Sequence, residues 1–309
     1  MLLSTDLWVG ALIRRAEQGG AFAAIERNAM ATKAPPLRPL DPNKDWMLWA
    51  DVRGAGIDRW GAPAGSAPAQ LSGSQVNALL GVSRRLAPSL LVGAVGGYET
   101  FDYTSQDLNG RLKGNGWTVG SYLGWMLAPA IRFDAAMAYS GIGYDGTAGT
   151  AQGNFDGHRW LLSGGVSGDY KAYSLDIEPS ARIYGLWEHE NAYTDTLGTR
   201  QADLDFATAR ASGGVKLAYP FAWRDSATLS PYAGLYADYY FSHDNAGPIL
   251  AAAVPLPVTP FLDGWSARAT AGLAAKFSNG VAIALGGEYG GIGNVVHIWT
   301  YHVRAAVPF

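Results

Sequence analysis

Histidines and nearby carboxylates are the side chains of this sequence best suited to acid–base or metal chemistry. The five histidines are His158, His189, His243, His297 and His302. None stands at a spacing typical of metal ligands, so we expect no metal site and no cofactor. One histidine with two aspartates, as in His189, Asp195 and Asp203, would suit a protease site at the opening of a β-barrel. A simpler interpretation is that these three are solvated residues at the end of a strand.

The composition excludes several classes of function. The 309 residues include no cysteine, which excludes a disulfide scaffold, thiolate zinc sites and a cysteine nucleophile. A formal net charge of −3 is too mild to indicate nucleic acid as a partner. Hydrophobic residues make up 48% of the chain, which excludes disorder for most of it.

The sequence divides into a helical segment, a linker and a long region of strands. Residues 7–30 are rich in helix-forming residues and predict a helix, with Thr5 or Asp6 as its cap. Residues 34–42 are rich in proline, which predicts an extended connection. We therefore predict a helix within 1–33, a linker over 34–43 and strands over 44–309. Residues 1–20 lack a secretory-signal pattern, so a secreted protein would require this chain to be a mature piece or the C-terminal part of a longer precursor.

From residue 44 onwards, apolar residues recur at every second position, as Trp46, Leu48, Ala50 and Val52 do. Such alternation predicts strands with one apolar and one polar face. We count about twelve runs, which begin near residues 45, 70, 90, 111, 130, 156, 174, 203, 227, 264, 281 and 295. Short connections, such as 128–129, alternate with mostly longer ones, such as 61–69 and 145–154. This pattern is typical of an outer-membrane barrel.

The two faces of the predicted strands favour a membrane wall over a soluble sandwich. Aromatic residues lie near the strand ends of the apolar face, as interfacial girdles do: Trp46, Trp117, Trp125, Tyr139, Trp160, Tyr170, Trp187, Tyr219, Tyr239, Phe241, Trp265, Phe277, Trp299 and Phe309. The polar face carries charges: Asp51, Arg53, Arg85, Glu99, Arg132, Asp134, Arg159, Asp169, Asp176, Glu178, Arg182, Arg210, Lys216, Asp238, Arg268, Lys276, Glu288 and Arg304. Because lipid permits no unpaired strand edge, we predict an all-β transmembrane barrel of about 12 antiparallel strands.

Several local patterns occur in an order that resembles a known family. They are the tryptophan and Arg-Gly pair of 49–54, the strand patterns of 72–86 and 91–98, and the glycine-rich 117–125. Residues 301–309 end in an aromatic after alternating apolar residues and resemble the β-signal that assembly machinery reads. The ordered set resembles the translocator (β) domain of type Va autotransporters. That resemblance implies an outer-membrane barrel of a Gram-negative bacterium, with a lumenal helix joined to an upstream passenger that the barrel anchors and exports.

The resemblance also implies roles for particular residues. Charges of both signs on the helix and the inner wall would hold the helix as a plug: Arg14, Arg15, Glu17, Glu26, Arg27, Asp51, Arg53, Arg132, Asp134, Glu178, Arg182, Arg210, Arg268, Glu288 and Arg304. The assembly signal would comprise Tyr301, Val303, Val307 and Phe309. The implied partners are outer-membrane lipid and lipopolysaccharide, the barrel assembly machinery and the chain's own passenger. We expect a monomer.

Other readings of the sequence remain open. Some members of this family cleave themselves at an asparagine of the helix, and Asn28 is the asparagine available for this. The adjacent pair of asparagines of such members is absent, so we interpret Asn28 as a helix cap or a polar contact. A general porin of 14–16 strands without a passenger is the main alternative function. A barrel-mouth protease or lipase is a third.

Overall fold

The computed structural model describes residues 45–59, 71–105, 109–223, 226–242, 264–294 and 296–309. Its twelve long strands are β1 (Trp46–Arg59), β2 (Leu71–Ala87), β3 (Leu90–Ser105), β4 (Gly110–Ala128), β5 (Ile131–Ala148), β6 (Ala151–Gly168), β8 (Leu175–Glu190), β11 (Leu204–Ala218), β13 (Ala227–Ser242), β14 (Gly264–Phe277), β15 (Ala282–Ile292) and β16 (Val296–Pro308). The four short strands are β7 (Tyr170–Ala172), β9 (Tyr193–Thr194), β10 (Arg200–Gln201) and β12 (Phe221–Trp223). The predicted helix of 1–33 and the linker of 34–43 lie outside the described residues. Within the described residues, no helix is long and apolar enough to cross a membrane.

The twelve long strands close into one antiparallel barrel. Each pairs with its neighbour in sequence, and the ring closes because β16 pairs with β1 from Val296↔Arg59 to Pro308↔Met47. Backbone bonds between Trp46 and Phe309 complete this seam, at N···O distances of 3.3 and 2.9 Å. No long strand among the described residues is therefore an open edge, as a lipid environment demands.

The connections differ between the two ends of the barrel. At the turn end, the connections are 88–89, 129–130, 169–174, 219–226 and 278–281. The other end, the loop end, has the connections 60–70, 106–109, 149–150, 191–203, 243–263 and 293–295. Both ends of the described chain, Asp45 and Phe309, lie at the turn end. The three longest connections, 60–70, 191–203 and 243–263, lie at the loop end as predicted, whereas 106–109, 149–150 and 293–295 at that end are as short as turn-end connections.

The prediction of a long connection over 145–154 is wrong. Strand β5 continues to Ala148 and β6 begins at Ala151, so a two-residue turn joins them. Gly149 adopts a φ of +59°, the left-handed conformation that glycine tolerates and that a tight hairpin turn needs. This polar stretch belongs to a hairpin that projects beyond the end of β8, while β4 continues beside β5.

The projecting part of β6 is covered by the segment 191–203, which contains β9 and β10. The last pair between β6 and β8 is Gly157↔Glu190, which leaves residues 151–156 without β8 beside them. Tyr193 stacks on Phe155 with ring centroids 4.6 Å apart, and the Thr196 N–H donates to the Gln152 carbonyl at 2.9 Å. The segment thereby shields a strand edge that would otherwise be free to pair with other chains.

Alternation separates the outer from the inner surface of the wall. On β4, for example, Trp117 and Val119 are half exposed on the outside, whereas Thr118 is buried on the inside. Large side chains also enter the inner face where a facing glycine makes room. Trp49 is buried against Gly81, where an added Cβ atom would lie 1.9 Å from the indole ring.

Candidate functional site

The inner wall gathers the charges that the sequence predicts on the polar face. Eight of the ten wall residues predicted to contact the helix are buried: Asp51, Arg53, Asp134, Arg182, Arg210, Arg268, Glu288 and Arg304. The other two, Arg132 and Glu178, are partly buried. These positions come together because their strands direct every second side chain inwards. Their role as helix contacts stays a prediction, since Arg14, Arg15, Glu17, Glu26, Arg27 and Asn28 lie outside the described residues.

The first group of buried charges is the Arg159 cluster, formed by Gln75, Glu99, Tyr144, Arg159 and Glu188. The Arg159 guanidinium contacts Glu99 at 3.0 Å through Nη1 and Glu188 at 2.8 Å through Nε. Gln75 Nε2 donates to the other Glu99 oxygen at 3.0 Å, and the Tyr144 hydroxyl donates to Glu188. Because two carboxylates face one guanidinium, the cluster carries one formal negative charge in excess.

A layer of aromatic rings lies next to this cluster, towards the loop end. Tyr103, Phe101, Tyr144, Phe155 and Tyr193 follow one another with ring centroids 5.3, 5.8, 4.9 and 4.6 Å apart. Tilted and offset arrangements at these distances are favourable for aromatic pairs. The rings exclude water from the adjacent ion pairs and thereby strengthen them.

Asp134 forms a second group with two arginines nearer the turn end. It accepts from Arg182 Nη2 at 2.7 Å and from Arg132 Nε at 2.9 Å. Arg132 also reaches the Ser167 hydroxyl at 2.9 Å. Among the described residues, this group has one carboxylate between two guanidinium groups, the reverse of the ratio in the Arg159 cluster.

The third group is the Arg268 cluster, formed by Arg210, Ser212, Asp238, Arg268 and Glu288. Arg268 contacts Asp238 at 2.9 Å through Nε and Glu288 at 2.8 Å through Nη1. Its Nη2 donates to the Ser212 hydroxyl at 3.1 Å, and Arg210 lies 3.9 Å from the same Asp238. Two guanidinium groups and two carboxylates make this cluster formally neutral.

A fourth group lies at the seam between β16 and β1. The Arg304 guanidinium lies 5.6 Å from the centroid of the Trp49 ring, within reach of a cation–π interaction. Trp49 Nε1 donates to the Tyr122 hydroxyl at 2.5 Å, and the Ser83 hydroxyl lies 2.6 Å from that oxygen. Nearby, Arg53 lies 3.8 Å from Asp51. The inner face of the seam therefore combines the buried Trp49 ring with the charged side chains of Arg53 and Arg304.

Some central residues of the clusters are absent from the predicted contact set. Glu99, Arg159 and Asp238 are predicted on the polar face but not among the helix contacts, and Glu188 and Tyr144 are not singled out as site residues at all. Alternation could have placed every one of them on the inner face. It could not show which of them meet, because Arg159 and Glu99 are 60 positions apart in sequence.

The outer surface presents the predicted aromatic and assembly-signal residues. Trp46, Trp125, Trp160 and Trp299 are between 41% and 49% exposed, as expected of side chains that face lipid. The predicted assembly-signal residues also point outwards from the end of the chain: Tyr301, Val303, Val307 and Phe309. Their recognition by assembly machinery stays a prediction.

At the loop end, Asp195 organises the segment between β9 and β10. Its Oδ1 accepts from the backbone N–H groups of Leu197 and Thr199, both at 2.9 Å, and its Oδ2 accepts from Gln201 at 3.3 Å. These bonds, that of Thr199 foremost, hold the pKa of Asp195 below its ordinary value of 3.8. Asp195 therefore acts as a turn-forming residue, and it does not contact His189 or Asp203 in the protease arrangement considered from the sequence.

A family model matches this chain over most of its length. The model is described as the autotransporter beta-domain and matches residues 48–288. No curated protein sequence matches the chain significantly.

Three solved structures share the fold. The translocator domain of the autotransporter NalP from Neisseria meningitidis is 13% identical, with a TM-score of 0.68, over 98% of this chain and 99% of that one. The β domain of the Bordetella autotransporter BrkA is 18% identical, with a TM-score of 0.66, over 86% and 100%. The transport unit of AIDA-I from Escherichia coli is 13% identical, with a TM-score of 0.58, over 94% and 98%.

Proposed function

The chain belongs to the autotransporter β-domain family, and on that premise we propose that residues 1–33 form a helix that plugs the lumen of the barrel. The barrel itself is an outer-membrane translocator of a Gram-negative bacterium, which exports a linked passenger by type V secretion. The general-porin alternative is less supported, because the long strands that close the described barrel number twelve rather than 14–16.

The buried charge clusters of the inner wall support this proposal. An α-helix with its side chains is about 10–12 Å across, which is wider than the packed interior of a small eight-stranded barrel allows. The wall offers carboxylate excess at the Arg159 cluster and guanidinium excess around Asp134. The helix segment carries both signs too, as Arg14, Arg15 and Glu17. Complementary charges at separate levels would set the depth and rotation of the helix.

The proposal assigns transport rather than catalysis to the barrel. In the described wall, the inward carboxylates at Glu99, Glu188, Asp134, Asp238 and Glu288 each contact a guanidinium group, and they are thereby committed to structure. We assign Asn28 to a cap or a polar contact of the helix, and not to self-cleavage. Family membership agrees with a transport role.

We further propose that the exposed residues of the last strand guide assembly. Phe309 and Val307 project outwards beside the seam at which β16 closes onto β1. A strand that presents alternating apolar side chains before closure offers an edge that assembly machinery binds by strand addition. The aromatic girdle then lies at the level of lipid head groups and lipopolysaccharide, around a monomeric barrel.

Surface display of an epitope tests the export function. A short unfolded epitope is fused ahead of residue 1, and the chain is expressed with a secretory signal in a Gram-negative host. We expect antibody to bind intact cells, because the passenger position should reach the outside. The matched control carries the same epitope inserted after Tyr173, which is fully exposed in the turn-end connection 169–174, so that Phe309 remains the last residue and antibody should bind only permeabilised cells.

Equal labelling of intact cells by both fusions would contradict the export topology. A Phe309→Ala variant separates assembly from export, since it should lower the amount of folded barrel in the membrane. The Trp299→Ala variant changes an outward aromatic of the same strand outside the proposed signal and should leave that amount close to wild type. Equal losses in the two variants would contradict the assignment of the signal.

A further inference from the structure

An unassigned row of polar side chains crosses the outer surface at the loop end. His158 on β6, His189 on β8 and Asp205 on β11 are direct cross-strand partners. Their neighbours Arg159 and Glu188 face inwards, so these three face outwards. The two imidazole rings are 5.0 Å apart between centroids, and His189 Nδ1 lies 2.7 Å from Asp205 Oδ1.

A second carboxylate completes the group. Asp203 precedes β11, and the ligand-type atoms of His189, Asp203 and Asp205 all lie within 4.8 Å of one another. Among the described residues, this is the one group of three such side chains that is close enough to share an ion. Two carboxylates outnumber the one imidazole and leave negative charge at this point, which a cation would neutralise.

We propose that His189, Asp203 and Asp205 form a binding site for a divalent transition metal such as Zn²⁺, with a water molecule from the exposed side as the fourth ligand. Imidazole and carboxylate are favoured ligands of Zn²⁺, which usually binds four groups in a tetrahedral arrangement. In the tautomer with the ring proton on Nε2, the Nδ1 lone pair of His189 faces Asp205 and is available to the ion, and small rotations of exposed side chains bring the remaining oxygens within reach. His189 and Asp205 are 30% and 77% exposed, so the ion enters directly from solvent.

The surroundings suit a structural ion at the membrane surface. One pair further towards the turn end, Trp160 and Trp187 are cross-strand partners on the same outer face, and Tyr139 packs on Trp160 at 4.9 Å. These aromatic residues place the metal site just outside the apolar band of the wall. An ion there would join β8 to the start of β11, and hence fix both ends of the covering segment 191–203. This role is independent of the lumenal helix.

Calorimetric titration with Zn²⁺ tests the proposal on the full chain folded in detergent micelles, in a phosphate-free buffer. We expect saturable binding with one strong site. His189→Asn should weaken that binding at least tenfold, and Asp205→Asn should do the same. Because Asp205→Asn preserves size and His189→Asn keeps a polar side chain at a partly exposed position, the far-UV spectrum and the thermal transition without metal should stay those of the wild type.

His297 provides the matched control, because it is also an outward histidine at the loop end but contacts the Tyr289 hydroxyl at 2.6 Å. His297→Asn should bind Zn²⁺ as the wild type does. The proposal is overturned if the wild type shows no saturable site, or if His189→Asn retains wild-type affinity. Equal weakening by His297→Asn would also overturn it, as would Mg²⁺ binding as tight as Zn²⁺ binding, since imidazole is a poor ligand for Mg²⁺.

Discussion

Arg159 and Arg268 each hold two carboxylates in the lumen, but over different spans of the wall. Arg268 on β14 contacts Asp238 on β13 and Glu288 on β15, the two strands beside its own. Arg159 on β6 contacts Glu188 on neighbouring β8 and also Glu99 on β3, although β4 and β5 lie between β3 and β6. The Arg268 cluster therefore stiffens a patch of wall, whereas the Arg159 cluster connects distant parts of it.

The two clusters also differ in charge and surroundings. The Arg268 cluster is formally neutral because Arg210 lies near Asp238. The Arg159 cluster has an excess carboxylate, is completely buried, and adjoins the aromatic layer. The charges of its two carboxylates are balanced by one guanidinium group, with little water nearby. We therefore expect loss of that guanidinium to lower the free energy of unfolding more than in the Arg268 cluster.

The largest effect is expected from Arg159→Met, which keeps an unbranched apolar stem but removes the guanidinium group and its charge. Two buried carboxylates would lose their common partner, and the cost should be about 3–5 kcal/mol of unfolding free energy. Urea unfolding of the barrel in lipid vesicles measures it. Adding Glu99→Gln and Glu188→Gln to this variant should recover most of the loss; no recovery would show that packing rather than charge is responsible.

Arg268→Met should cost less, roughly 1–3 kcal/mol. Asp238 keeps Arg210 nearby, so only Glu288 loses its guanidinium contact. The same urea experiment compares the two variants directly. A loss equal to or greater than that of Arg159→Met would contradict the distinction between the clusters.

Removal of single hydroxyl groups makes a finer comparison. Tyr144→Phe takes a donor from Glu188 in the Arg159 cluster and should cost about 1–2 kcal/mol. Tyr240→Phe takes away an acceptor that lies 3.1 Å from Arg210, which still has Asp238 and the Tyr184 ring, and should cost under about 1 kcal/mol. Equal unfolding midpoints for the two variants would show that the clusters respond alike.

The smallest effect is expected away from both clusters, in Asp195→Ala. Hydrogen bonds lower the pKa of Asp195, so their contribution is present above its ordinary value of 3.8 and is lost as the pH falls through the lower value of the folded state. Hydrogen exchange at the Leu197 and Thr199 amides should therefore be faster in the variant at neutral pH, with global unfolding unchanged. In the wild type, protection should fall only in acid; a variant as protected as the wild type at pH 7 would refute the role of Asp195.

The wall itself could be predicted from sequence because alternation reports which face each residue occupies. The predicted strand starts agree with β1 to β16 to within one residue except at β6, where 156 was expected and Ala151 is observed. That error arose because the hairpin of β5 and β6 extends beyond the end of β8 and carries polar residues on its outer side. A part of a strand that extends beyond the membrane needs no apolar side chains on its outer face, so its sequence lacks the alternating pattern.

Contacts between strands could not be predicted in the same way. The partners Glu99 and Arg159 depend on the curvature of the closed wall, and the group of His189, Asp203 and Asp205 depends on the register between β8 and β11. Neither property can be inferred from the spacing of residues along the chain, so the positions of the histidines in the sequence did not indicate a metal site. The registers of the intervening strands supply the missing information.

Ion conductance in planar lipid bilayers tests the plugged barrel most directly. Purified full chain is compared with a chain that lacks residues 1–40, each first shown to be folded by its β-sheet spectrum. The account predicts low conductance for the full chain and a marked rise after the deletion, because the wall encloses a lumen that the helix fills. Large and equal conductance in both chains would contradict it.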